Sequence, residues 1–283
     1  MFTLTAERPD GERLTLTQFR SAYTVTYAGF GPVAATVATS SMGVADGDKI
    51  NSARRGSRNP VLSIAINGNV EQNRIRLYAF FSPGHNVRLY YKNGARNVYT
   101  EGVVESFVCD QFAAPVRAQV SIICPLPYWI GAEEIVKNLS GVVNMFQFPF
   151  AIPAVGVELS SLKGEGYALA CNDGDEPTGF ITTIYARDTV TNPLIYNIVT
   201  NEAFRINGQL TKGQTLTINT STSKKRVTIT EPGGIVTNAL HRKQRDSIWL
   251  QLAPGDNYIA YAAEKGKEAM VVTLIYNHLY VGV

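Results

Sequence analysis

Cysteine is scarce in this chain, and that excludes a class of folds. The 283 residues include only Cys109, Cys124 and Cys171, an odd and sparse set that cannot make the dense disulfide framework of small secreted domains. Reduced, partly buried thiols are expected. Histidine is as rare. His85, His241 and His278 stand far apart, and none pairs with another His or Cys at metal-ligand spacing, so neither a metal nor a cofactor is expected. Long apolar runs are missing as well. No stretch approaches the roughly 20 residues of a membrane span. The first residues, Met1-Phe-Thr-Leu-Thr-Ala-Glu-Arg8, lack a cationic start leading into a long apolar run. No membrane partner and no secretory leader are therefore expected. Charge is also low: Asp, Glu, Lys and Arg make up 17%, against about 25% in an ordinary soluble domain. A net charge of +3 is too small for a nucleic-acid surface. Low charge suits either a large β-protein or one that buries surface in an assembly.

Recognisable reaction chemistry is lacking too. Gly-x-Ser-x-Gly is absent. The densest carboxylate cluster, Asn172-Asp-Gly-Asp-Glu-Pro177, lacks the twelve-residue calcium loop and its terminal bidentate Glu, so it reads as a polar turn between strands. The basic runs Ser223–Arg226 and His241–Arg245 lie among turn residues without interleaved aromatics, as exposed hairpin ends would. No catalytic residue is singled out, and the chain does not read as an enzyme.

What is present is β-structure. Phe2–Thr5 and Arg13–Thr17 alternate apolar and polar residues around the turn Arg8-Pro-Asp-Gly11, which predicts a hairpin. Tyr23–Tyr27 and Val33–Thr39 predict further strands. The stretch from Val61 to Trp129 organises this half. A strand over Val61–Ile66 leads through Asn67-Gly-Asn69 into a helix over Val70–Phe81, with Val70, Leu77, Tyr78 and Phe81 on one face. Pro83 and Gly84 stop the helix. Strands over Val87–Tyr91 and Arg96–Val104 flank the hairpin signal Lys92-Asn-Gly94, and Val116–Cys124 is a longer strand. Between Ser40 and Asn59 the alternation breaks, which predicts a long loop carrying Arg54, Arg55 and Arg58. Those arginines fit a solvated loop or an arm that pairs with carboxylates of a neighbouring subunit. They are the candidate subunit-interface residues.

The pattern changes near Ile130. Gly131–Ser140 reads as a connector, and Phe146-Gln-Phe-Pro-Phe150 begins a stretch rich in Phe and Pro. From Tyr167 onward, short alternating strands recur at regular spacing, among them Thr182–Ala186, Thr215–Asn219, Ile248–Leu252 and Met270–Tyr276. Regular spacing with two-residue alternation predicts a β-sandwich. Two domains are expected, 1–130 and 131–283, in a mainly β chain with one helix.

The order of these pieces resembles the distal tail protein family of long-tailed siphophages, mostly those of Gram-positive hosts. The resemblance rests on Tyr27-Ala-Gly-Phe-Gly-Pro32, the Asp46-Gly47 loop, Asn69 to Pro83, Ile123-Cys-Pro-Leu-Pro-Tyr-Trp129, Asn172–Thr178, Phe204-Arg-Ile206, Gly213–Thr220, Ser247–Asn257 and the ending Tyr276–Val283. It implies an N-terminal ring-forming domain similar in character to a tail-tube protein and a C-terminal galectin-like β-sandwich. It further implies a homo-hexameric hub ring at the virion's tail tip, synthesised in the host cytoplasm. Such a ring joins the tail-tube protein to tail-tip proteins and, in many phages, to receptor-binding proteins. DNA passes through it without specific binding. The alternative left open by the fold is a carbohydrate-binding module gripping a host cell-wall saccharide, since fold does not fix function. Exposed Trp or Tyr on a sheet face would favour that alternative, and Trp249, alternating with Leu250 and Leu252, is expected in the core.

Overall fold

The computed structural model describes residues 1–19, 21–43, 46–110, 112–140, 142–144, 160–162 and 166–283. The Phe- and Pro-rich stretch at 146–150 lies outside these residues. The chain divides into two compact units, Met1–Glu133 with Leu279–Val283, and Glu134–His278. The expectation that everything after residue 130 belongs to the second domain is thus corrected at the chain's end: Leu279–Val283 return to the first unit. The reason is local. Leu279–Tyr280 is a short strand that pairs antiparallel with Trp129–Gly131, and Tyr280 and Val283 pack on the first unit's core.

Within the first unit the hairpin of β1 (Thr3–Glu7) and β2 (Arg13–Thr17) is followed by β3 (Tyr23–Ala28). Then come β4 (Ala35–Ser41), β5 (Asp48–Arg55), β6 (Val61–Ile66), helix α1 (Val70–Phe80), β7 (Asn86–Lys92), β8 (Asn97–Asp110), β9 (Arg117–Ile123) and β10 (Trp129–Gly131). The sheet order β8-β7-β1-β2-β3-β6-β9 returns to β8, so seven strands close on themselves like a barrel. Closure depends on one long strand. The first half of β8 pairs with β7 and the second half with β9, and the register shifts between Val104 and Ser106. That bulge at Glu105 lets one strand serve both neighbours by turning between them. Alternation then fixes the interior: Leu4, Leu16, Val25, Leu62, Ile64, Leu89, Val98, Val120 and Ile122 are buried. Helix α1 buries Leu77 and Phe80, and Phe81 at its end is fully buried. The expected face differs by one residue. Tyr78 is 39% exposed, with the Arg74 guanidinium donating to its hydroxyl and lying against its ring, while Phe80 faces inward.

Two larger sheets of the second unit enclose one core. Six strands run in the order Ile135–Asn138, Met270–Tyr276, Phe180–Ala186, Thr215–Asn219, Arg226–Thr230 and Val236–Asn238. Four run in the order Tyr167–Asn172, Gly255–Ala262, Leu194–Asn197 and Ala203–Arg205. Ile184, Leu216 and Leu274 from the first sheet share a core cluster with Ala170, Ile195, Phe204 and Ile259 from the second. Two expectations change here. Ile135–Asn138, read as connector, is a strand at the edge of the six-stranded sheet. Ile248–Leu252 is not a ladder strand. It is held by single bonds, Ile248 N–H to the Ala203 carbonyl and the bridge of Leu252 with Thr178, while Leu250 and Leu252 fill the core.

One buried polar atom lacks a partner in this core. The Thr182 hydroxyl, on a fully buried side chain, meets no hydrogen-bond acceptor or donor among the described residues. A hydroxyl buried without a partner carries an uncompensated desolvation cost. Thr182→Val should therefore stabilise the second unit by about 1 kcal/mol, read as a higher denaturant midpoint with an unchanged slope.

Candidate interaction site

Strands β4 and β5 form a ribbon of their own. Their seven residue pairs run from Ala35 with Arg55 to Ser41 with Asp48, with a register shift between Ala38 and Thr39. Among the described residues, neither strand pairs with any other. The strand expected over Val33–Thr39 is β4, and the loop expected over Ser40–Asn59 holds the second strand, β5. Small and β-branched residues on both arms, Ala35-Thr-Val-Ala-Thr39 and Ile50-Asn-Ser-Ala53, favour extension without supplying a core. Every residue of β4 is exposed, and all of β5 except Arg55. Val37 is 49% exposed and Ile50 68%. A two-stranded ribbon is marginal by itself in water, and its unpaired edges offer rows of free backbone donors and acceptors.

The three candidate arginines take three different places. Arg54 is exposed on β5. Arg55 lies at the ribbon's foot, donating to the Tyr128 hydroxyl at 3.2 Å with its guanidinium 5.6 Å from that ring's centre. Arg58 is fully buried. Its Nη1 donates to the carbonyls of Gly29 (3.1 Å) and Gly31 (2.8 Å). Its Nη2 donates to those of Pro127 (2.6 Å) and Val281 (2.8 Å). Its backbone pairs with Cys124 in both directions, and its charge lies 5.3 Å from the Trp129 ring centre. As a subunit contact Arg58 is corrected: its fork is engaged inside its own chain, on carbonyls and an indole face. Burial lowers its pKa from the usual guanidinium value, and the four carbonyl oxygens supply the negative ends of dipoles in place of a counter-ion. Only charge at position 58 was legible in the sequence. Its burial depends on residues as distant as Val281.

Glycine is required beside it. Gly29 has φ +76°, and a Cβ there would lie 2.1 Å from the Asn59 carbonyl oxygen. The chain entering the ribbon therefore touches the chain leaving it, backbone against backbone.

In the second unit the acidic turn is organised by a buried Asn. Asn172 Nδ2 donates to the carbonyls of Glu176 and Leu252, both at 3.0 Å, and its Oδ1 accepts from Gly174 N–H. His278 Nδ1 lies 3.1 Å from the same oxygen. Among the described residues no group of three His, Cys, Asp or Glu side chains is placed to hold a metal ion. Cys171 is no activated nucleophile: its thiol donates to Asp173, and the carboxylates of Asp173 and Asp256 push its pKa up to about 11. Trp249 is partly buried against the core, with its ring 4.8 Å from that of Phe204. Among the described residues of the second unit, exposed rings on sheet faces are Tyr185 on the six-stranded sheet and Tyr167 and Tyr258, 6.4 Å apart, beside the exposed Leu169 on the four-stranded one.

Two outcomes follow from these placements. Arg58→Ala should leave four carbonyls without their donor, empty a fully buried site and destabilise the first unit by about 3 kcal/mol, seen as a lower denaturant midpoint by Trp fluorescence. Cys171 should resist alkylation at pH 8. Because neighbouring negative charge raises its pKa, Asp173→Asn should lower it and speed alkylation at that pH.

The comparisons with known proteins agree with this geometry. Residues 173–280 match the family described as siphovirus-type tail component, C-terminal domain. Among solved structures, the crystal structure of the phage SPP1 Dit protein superposes with a TM-score of 0.67 at 12% identity, covering 99% of each chain. That protein is described as a paradigm of the hub adsorption apparatus in phages infecting Gram-positive bacteria. Chains of the phage P2 baseplate in its activated conformation are also similar: with Ca, TM-score 0.54, 11% identity and 100% of both chains; with Sr, 0.52, 12%, 97% and 98%. None of the curated proteins matches the sequence. Residues 173–280 are thus similar to the C-terminal domain of siphovirus-type tail components, and the whole chain has the fold of the Dit hub protein.

Proposed function

We propose that the chain is a structural component of a phage tail tip, a hub that associates with copies of itself into a hexameric ring between the tail tube and the tail-tip or receptor-binding proteins. DNA would pass through the ring without specific binding. The observation that carries this reading is the β4–β5 ribbon. Its residues are exposed, its edges are unpaired among the described residues, and it cannot be stable by much alone. A second copy offers the missing partner through β-augmentation, in which backbone bonds give affinity and side chains such as Val37 and Ile50 give specificity. Arg54 and Arg55 are the contact arginines in this reading, placed to fork onto a neighbour's carboxylates. The tail-component family of the second unit and the hub and baseplate proteins that share the fold support a place in the virion tail. Synthesis in the host cytoplasm agrees with three free cysteines. The role is mechanical and not catalytic. A saccharide platform is the weaker reading, since Trp249 packs against the core and the exposed Tyr167 and Tyr258 share their surface with Leu169.

Mass in solution and negative-stain symmetry test the proposal. The full chain should form sixfold rings as concentration rises. A variant with residues 36–54 replaced by a short Gly-Ser turn should stay monomeric while keeping its thermal midpoint. Arg54→Ala with Arg55→Ala should weaken rings most at low salt, each exposed pair being worth about 0–1 kcal/mol. Rings of another symmetry, or undiminished rings from the ribbonless variant, would contradict the assignment.

A further inference from the structure

The residues after the second unit reach the base of the ribbon. Leu279–Tyr280 is zipped to Trp129–Ile130 as a strand, with the Arg96 guanidinium 3.9 Å from the Tyr280 ring centre. Val281 then gives its carbonyl to Arg58 Nη2 at 2.8 Å. Gly282 runs so close to the Phe30-Gly-Pro loop that a Cβ on it would lie 3.3 Å from Gly31 Cα and from Pro32 Cδ. Val283 N–H donates to the Phe30 carbonyl at 3.3 Å. Phe30 also accepts from the Trp129 indole at 3.1 Å.

These contacts converge on the two feet of the ribbon. The entering foot is Gly29–Pro32, just before β4, and the leaving foot is Gly56–Asn59, just after β5. Arg58 belongs to the leaving foot and binds two carbonyls of the entering one. Its other two acceptors, Pro127 and Val281, lie outside the ribbon altogether. The ribbon itself makes no strand pairing with the barrel among the described residues. Its position is therefore set at its feet, and the same guanidinium grips feet and chain end together.

We propose that residues Leu279–Val283 act as a strap that fixes the feet of the β4–β5 ribbon and so sets where the ribbon is presented. Leu279 follows His278 directly, so the strap is a covalent extension of the second unit into the first. Its consequence for assembly rests on the reading of the ribbon as the subunit contact. A pull on the strap would withdraw the Val281 carbonyl from Arg58 and loosen the ribbon base.

Hydrogen exchange on the full chain, beside mass in solution, tests this. Removing residues 281–283 should raise exchange about tenfold or more at the amides of Phe30, Gly31 and residues 56–58. The amides of β1, β7 and the sandwich strands should keep their protection, and rings should be lost. Unchanged exchange at the feet overturns the strap. Loosened feet with intact rings uphold the strap and count against the ribbon as the subunit contact. If the truncation also unfolds the barrel, Gly282→Val decides: its side chain wedges the strap from Gly31 and Pro32 while keeping the Val281 carbonyl in the chain. Exchange at the feet should then rise with the barrel protected, and no rise overturns the proposal. Tyr280→Ala, which removes a ring but no strap carbonyl, should raise exchange at the feet by less than either.

Discussion

A single buried guanidinium ties together four parts of the first unit that the chain order keeps far apart. Arg58 reaches carbonyls at Gly29 and Gly31, at Pro127 and at Val281. Burying a charge without a carboxylate is costly unless its donors are satisfied. Here four of its N–H groups point at backbone oxygens, and the Trp129 ring covers the guanidinium. The planar fork of Arg makes this possible, and a Lys, with its three donors around one point, could not span the same set. The barrel's edge, the loop before the ribbon and the last residues of the chain meet at that one group.

From this follows the unusual division of the first unit into a tightly packed barrel and a ribbon with no core of its own. Barrel closure removes sheet edges, because β9 returns to β8 through the bulge at Glu105. The ribbon restores two edges and leaves them in water. Those open edges are what the proposed subunit contact would use. Placed beside the match of residues 173–280 to the tail-component family, the open ribbon supports the assembly role proposed above. Both perturbed thiols are shifted upward, Cys124 by burial and Cys171 by Asp173 and Asp256, the opposite of what a nucleophile needs.

Much of the architecture was legible because it depends on neighbours in sequence. Two-residue alternation marked β1, β2, β6 and β7 and most strands of the sandwich, and Lys92-Asn-Gly94 marked the hairpin between β7 and β8. Val33–Thr39 marked most of β4, but the glycines and acidic residues around Gly43–Asp48 pointed to a loop and hid β5 beyond it. Ala, Ser and Thr alternate without a hydrophobic contrast, so a strand exposed on both faces leaves no periodic signal. Ile248–Leu252 failed in the opposite way: its apolar alternation is real and Leu250 and Leu252 are buried, yet only isolated bonds hold it to its neighbours.

A mainly β chain, one substantial helix near residues 70–81 and two halves of different character are all readable from residue order alone. Local periodicity and turn chemistry carry that information. Tertiary structure alone decided that Arg54, Arg55 and Arg58 part company, that the barrel closes through β8, and that Leu279–Val283 belong to the first unit. Each of these depends on backbone carbonyls and strand edges meeting across long separations. A carbonyl is present at every residue and so marks no position in the sequence, and only folding shows which four of them surround one arginine.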